Sequence, residues 1–271
     1  MTSLALTALH MKSIQVRSTQ WHYQEQGIGD AIVFVHGFPL DHRIWNAQLA
    51  GLSNEFRVIA VDLKGFGQSK STAAFTIDSM ADELAEFISD VVGSPCVLAG
   101  LSMGGYVAFS LAARHPEAIK RLAIVCSKAE ADTQAGKEAR QKMAETAMKE
   151  GSKPVAAQML PKMFSPDTYQ NRPELVEELK QIMEACPPTT IANACFAMRD
   201  RADRIPDLPG LKMPVMIILG EKDAIIPSAT GATIAVACKQ GVFKLIPNAG
   251  HLAPMEEPAA FNLVMAEFAK L

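Results

Sequence analysis

The chain has 271 residues, of which 49% are hydrophobic and 20% charged, with a formal net charge of -3. That balance suits a globular protein with a large core and argues against a disordered or collagen-like chain. A mildly acidic chain without basic runs offers no electrostatic footprint for nucleic acid or an anionic membrane surface, so the expected partner is a small molecule.

The N-terminal stretch MTSLALTALHMK is weakly apolar, lacks a positive region ahead of its apolar part and is too short to span a bilayer. It reads as neither signal nor anchor, and Met11 offers a second possible start. Residues 13–24 alternate in polarity and predict an antiparallel hairpin at the edge of a sheet. Short apolar runs then predict strands buried on both faces, as in a parallel sheet: AIVFV (31–35), VIAV (58–61), CVLA (96–99), LAIVC (122–126), VMIIL (215–219) and VFKLI (242–246). Between them, residues 77–92 carry apolar positions near a 3.6 period. Thr76 suits the N-cap, and Asp78, Asp82 and Glu83 suit the positive helix end. Small and apolar residues 104–114 predict a helix ending at His115-Pro116, and residues 259–271 predict a closing amphipathic helix.

The alternation stops between 129 and 207. That block is rich in Met, Ala, Lys and Glu, and is punctuated by Pro154, Pro161, Pro166, Pro173 and Pro187-Pro188. It predicts a helical cap (129–207) inserted between two parts of one core (1–128 and 208–271). The fold class is α/β, a mostly parallel central sheet with helices on both faces. Cys96, Cys126, Cys186, Cys195 and Cys238 are odd in number and lack CxxC spacing, which predicts free thiols in a reducing, cytoplasmic setting.

The chemistry centres on Gly100-Leu101-Ser102-Met103-Gly104, placed after the strand CVLA and opening a helix. A nucleophile on so sharp a turn needs small neighbours two positions either side, and its hydroxyl would meet a helix N-terminus that favours developing negative charge. A hydroxyl is a poor nucleophile without a base. Of the six histidines, His251 is best placed, in the loop PNAGH after the last strand. The base needs an orienting acid. Asp223, after the strand VMIILGEK, is preferred over Glu221 and Asp132. The turn His36-Gly37-Phe38-Pro39 after the first buried run would supply the Phe38 N–H to an oxyanion, with the Met103 N–H as second donor. The segment DLKGFGQS holds a G-x-G without the extension of a dinucleotide loop, so it reads as a structural turn with Asp62 hydrogen-bonded inside it. No His/Cys/Asp cluster has metal-ligand spacing, and neither metal nor cofactor is expected.

The motifs HGFP, DLKGFGQS, GLSMGG, GEKDAIIP and NAGH resemble the α/β-hydrolase superfamily over nearly the whole chain. Within it the chain resembles small carboxylesterases and 3-oxoadipate enol-lactonase-like enzymes, which also include cofactor-free haloperoxidases. The resemblance implies the α/β-hydrolase fold with a triad of Ser102, Asp223 and His251, oxyanion donors at Phe38 and Met103, and hydrolysis of an ester or lactone. Lys64 departs from the Arg that many relatives carry in DLKG, and Ser102 at the nucleophile position disfavours a haloalkane dehalogenase, which has Asp there. A carboxylic ester hydrolase is the leading expectation. An enol-lactonase or carbon–carbon bond hydrolase is the alternative, and a non-catalytic binding protein on the same fold the reading from another class. The lactonase reading would need a buried arginine from the mixed-charge run at 199–204 to hold a substrate carboxylate; otherwise that run is solvated or self-paired.

Overall fold

The computed structural model describes residues 10–271, so the stretch read against a signal peptide lies mostly outside the described residues. Strands β1 (Lys12–Val16) and β2 (Thr19–Gln26) form the expected antiparallel hairpin, turning at Arg17, whose φ is 48°. The chain continues through β3 (Ala31–Val35), α1 (Asn46–Leu52), β4 (Arg57–Asp62), α2 (Ile77–Phe87), β5 (Cys96–Leu101), α3 (Met103–Arg114) and β6 (Ile119–Val125). After β6 come α4 (Gln134–Glu150), α5 (Ser152–Met159), α6 (Pro166–Asn171), α7 (Pro173–Ala185) and α8 (Pro188–Arg199). The chain ends with β7 (Val215–Gly220), α9 (Ser228–Ala237), β8 (Gly241–Ile246), α10 (Ala253–Glu256) and α11 (Pro258–Lys270).

The strands form one eight-stranded sheet in the order β1-β2-β4-β3-β5-β6-β7-β8, parallel from β4 to β8. The connections reverse direction at β3, which pairs with β4 on one side and β5 on the other. In such sheets ligands bind beyond the carboxyl ends of the strands at this switch point. β3, β5 and β7 are buried throughout, as near-continuous apolar runs require. The run VFKLI departs from expectation. β8 is an edge strand with no strand beyond it, and it leaves Val242 and Leu245, on its opposite faces, exposed.

Two further expectations need correction. The helix read over 77–92 is α-helical only to Phe87 and ends in a π turn (Ile88–Val92) closed by Gly93 in the left-handed region. Its acids do more than complement a dipole. Asp78 accepts from Ser110 and Arg204, Asp82 from Arg114, and buried Glu83 holds Lys64 Nζ at 2.9 Å and the Trp21 indole N–H. Thr76 caps the helix as expected, in a reciprocal box with Ser79.

No strand interrupts the chain between β6 and β7. Pro166, Pro173 and Pro188 each stand in the first turn of a helix, where the missing N–H costs nothing, so they begin helices as much as they end them. The helical insertion is tied to the loops that follow β4 and β8 through Thr190 Oγ1 to the Gly65 carbonyl (2.9 Å) and Leu252 N–H to the Met163 carbonyl (3.1 Å). No helix among the described residues is long and apolar enough to cross a membrane.

Candidate active site

Ser102 occupies the single residue between β5 and α3, with φ 54° and ψ -112°. A non-glycine residue held there is strained, and strain persists only where the surroundings enforce it. They do: the Ser102 N–H donates to Val125 O (2.9 Å), and its carbonyl accepts from Ser127 Oγ (2.7 Å) and Gly105 N–H (2.9 Å). A β-carbon added at Gly100 would lie 2.3 Å from the Gly104 carbonyl, so the G-x-S-x-G spacing is a steric requirement of the turn. One at Gly37 would lie 3.1 Å from Ser102 Cβ, which puts the loop after β3 directly against the serine. Neither the Phe38 nor the Met103 N–H donates a hydrogen bond among the described residues, and Met103 is the first residue of α3.

Asp223 and His251 come together from the loops after β7 and β8. Glu221 N–H donates to Ile246 O (3.0 Å), Lys222 N–H to Ala249 O (2.8 Å) and Asn248 N–H to Glu221 Oε2 (3.0 Å). Glu221 therefore braces the loop, and Asp223 faces the ring. His251 Nδ1 lies 2.9 Å from Asp223 Oδ2, both side chains being almost wholly buried. A carboxylate can only accept, so Nδ1 carries the proton and Nε2 is left as the basic atom. Asp223 Oδ1 accepts from the N–H groups of Ile225 (2.8 Å) and Ile226 (3.1 Å). Burial alone would raise this carboxyl; the His251 ring and these donors outweigh it and hold it below its ordinary value.

The other candidate acid is committed elsewhere. Asp132 binds Arg201 (2.9 Å) and Arg140 (3.2 Å) at the start of the insertion. Ser102 Oγ and His251 form no hydrogen bond with each other among the described residues; such bonds often tighten only when substrate is bound. The link between them runs through the end of β6. Val125 and Ser127 hold the Ser102 backbone, while Cys126 Sγ, an Asp223 carboxylate oxygen and a His251 ring nitrogen all lie within 4.8 Å of one another.

Residues 30–258 match the alpha/beta hydrolase fold family. The chain belongs to that family. It is 31% identical over 90% of its length to an AB hydrolase superfamily protein YisY from Bacillus subtilis, covering 93% of that protein. A thermophilic esterase from Thermogutta terrifontis, solved with malate bound, is 35% identical with a TM-score of 0.92, covering 96% of this chain and 98% of its own. An enol-lactonase from Burkholderia xenovorans is 27% identical with a TM-score of 0.88, covering 96% and 100%.

For a hydrolase of this family, two features escape a reading of the sequence alone. Cys126 looks like any small apolar residue at a strand end. It has φ 46°, and its thiol packs against the Asp223–His251 pair, where burial and the Asp223 charge push its pKa well up, so it stays a neutral thiol. His36 is fully buried. Its Nε2 accepts the Leu63 N–H (3.1 Å), which places the proton on Nδ1, 2.8 Å from the Gly37 carbonyl. It thereby staples the loops after β3 and β4, and burial pushes its pKa down.

The mixed-charge run divides. Arg199 pairs with adjacent Asp200, as a self-paired surface would. Arg201 is buried over the Tyr106 ring at 4.0 Å, donating to Met198 O and Glu130 O and pairing with Asp132. A cavity of about 460 Å³ is lined by Pro39, Leu40, His42, Arg43, Lys70 and Ile182 among others, and Ser102 is not part of its wall.

Proposed function

We propose that the protein is a serine hydrolase that cleaves carboxylic esters of small or medium acyl or aromatic acids through an acyl-enzyme. The observation that carries this reading is the strained Ser102 at the N-terminus of α3, backed by a β6 end whose next residue touches a buried Asp223–His251 pair. In the first half-reaction His251 Nε2 takes the Ser102 Oγ proton as Oγ attacks the ester carbonyl. The oxyanion is held by the Phe38 and Met103 N–H groups, and His251 returns the proton to the departing alcohol. Water then repeats the sequence in reverse roles and releases the acid. Asp223 holds the ring in the tautomer that leaves Nε2 basic and stabilises the imidazolium. Neither step calls for a metal or cofactor. The helices between β6 and β7, residues 129–207, act as a cap over the serine that selects the acyl group.

The similarity to an esterase at 35% identity supports the ester reading. The lactonase reading draws on the 27% identity to an enol-lactonase, but the one deeply buried arginine of the 199–204 run has its charge spent on Asp132, so it is not free for a substrate carboxylate. Rates across p-nitrophenyl esters of increasing acyl length beside a panel of small lactones test the choice. Ester turnover that is lost in Ser102→Ala, with a fluorophosphonate adduct on Ser102, is the expected result. Turnover of lactones alone overturns the ester assignment, and absence of both activity and adduct overturns the enzyme.

A further inference from the structure

Glu256 is the last residue of α10 and is 4% exposed. Its Oε1 accepts the Gly250 N–H at 2.7 Å, and its Oε2 accepts the Ser165 N–H and the Thr168 hydroxyl, each at 2.7 Å. Its main-chain carbonyl accepts from Arg172 at 2.8 Å. No cation pairs with the carboxylate among the described residues, so these short donors are what offset its burial. The donors come from two parts of the chain. Gly250 immediately precedes His251; Ser165 and Thr168 open α6 in the insertion. On the other side of the histidine, Leu252 N–H donates to the Met163 carbonyl (3.1 Å). Both neighbours of His251 are therefore fastened, one through Glu256, to the same insertion segment, while the ring is fastened to Asp223.

We infer that Glu256 is a positioning residue that fixes the His251 loop against the insertion and so sets where the basic nitrogen stands relative to Ser102. The inference rests on the serine-hydrolase reading. A carboxylate suits the role because both of its ends face donors. An amide satisfies one end only: its NH₂ must turn towards either the Gly250 N–H or the Ser165 and Thr168 donors, and one of the two fastenings is lost. Proton transfer and nucleophilic attack are sensitive to displacements of about 1 Å, so a loosened loop reports itself in rate more than in binding.

The test compares Glu256→Gln and Thr168→Val with the wild-type chain, using a short p-nitrophenyl ester and a fluorophosphonate that titrates active sites. For Glu256→Gln, kcat per titrated site should fall on the order of 10–100-fold, with KM within about twofold and the phosphonylation rate falling in parallel. Thr168→Val, which removes one donor on the insertion side, should lose less in the same direction. A folded Glu256→Gln with wild-type kcat and labelling rate overturns the inference, as does a rise in KM at unchanged kcat. If the Gln variant does not fold, Thr168→Val decides: unchanged kcat per site overturns it. If the wild type takes no phosphonate, or Ser102→Ala still turns over ester, the serine-hydrolase reading fails by itself and the role of Glu256 falls with it.

Discussion

Two buried aspartate–histidine pairs end strands of this sheet. Asp223 Oδ2 and His251 Nδ1 are 2.9 Å apart beyond β7; Asp62 Oδ1 and His42 Nδ1 are 2.8 Å apart beyond β4. Both carboxylates are fully buried, and both are held below their ordinary pKa against the effect of burial. What differs is what surrounds them. Asp62 also accepts the His42 backbone N–H and the Gln68 N–H, so it knots the loops after β3 and β4 together beside the 460 Å³ cavity. Asp223 spends its second oxygen on its own loop and lies against the end of β6, whose neighbouring residues hold the strained Ser102. An oriented imidazole is thus not by itself a catalytic base. The same pair serves as a loop staple in one place, and the reactive reading of the other depends on the serine.

The largest effects should therefore separate the two pairs by the serine. Ser102→Ala should cost on the order of 10⁶ in kcat, as removing a nucleophile does elsewhere, while the melting temperature stays near wild type. His251→Ala should come close to that loss, since nucleophile and base act as a unit. Asp223→Asn should cost about 10³–10⁴ with KM little changed. The matching changes at the other pair should read out in stability. Asp62→Asn and His42→Ala should each lose roughly 1–3 kcal/mol by leaving buried groups without partners, with kcat per folded site within a few-fold of wild type. Steady-state kinetics and thermal unfolding on all of these variants decide the comparison. If Asp62→Asn loses activity as Asp223→Asn does, the two pairs are not functionally distinct and the assignment of the acid is wrong.

The sequence made the strands legible because buried parallel strands must be continuous apolar runs, and it made the serine turn legible because a β-carbon at Gly100 would lie 2.3 Å from the Gly104 carbonyl, which only glycine avoids. Asp223 and His251 stand out as loop residues directly after strands. Other features depend on distance along the chain and leave no local pattern. Glu256 meets Ser165 and Thr168 across some ninety positions, and nothing in HLAPMEE marks it as buried. The charges at 199–204 look solvated, yet Arg201 is buried against the Tyr106 ring and Asp132, because the run crosses from α8 back to the sheet. The edge position of β8 was hidden for a similar reason: apolar composition does not say whether a second strand lies beyond.

Acid titration should sharpen the comparison next. Asp62 and Asp223 have depressed pKa values in the fold, so their stabilisation is fully present above the unfolded carboxylate value, about 3.9, and is lost as pH falls through the folded values. His36 acts earlier. Its folded pKa is pushed down by burial, so below its unfolded value, about 6.5, the unfolded chain takes up a proton that the fold refuses, and stability declines from there. Unfolding monitored across pH should thus show a shallow decline beginning near 6.5 and a steeper one below about 4. His36→Gln should remove the first and keep the second. A single limb in the wild type would mean that His36 accepts its proton without opening the structure.

The smallest expected effect concerns the insertion as a selector. Its methionines fall into three groups. Met163, Met183 and Met198 are buried, and truncating them to Ala should cost about 2–5 kcal/mol of stability through cavities, which would obscure any change in specificity. Met148 is 59% exposed and serves as a control. Met143 and Met159 are only partly buried against the core, so they can be shortened with less loss of packing. If the insertion selects the acyl group, Met143→Ala or Met159→Ala should change the ratio of kcat/KM between short and medium acyl esters by about tenfold, the scale of one or two methylenes in an apolar pocket. The rate of phosphonylation by a small fluorophosphonate should stay unchanged, because the serine, its base and the oxyanion loop are untouched. Met148→Ala should alter neither. A fixed acyl profile in both folded variants would place selectivity in the loops after β3, β4, β7 and β8, the same loops that carry the two aspartate–histidine pairs. The pair at Asp62 would then stand beside the substrate through its cavity, and the boundary between staple and catalyst would have to be redrawn.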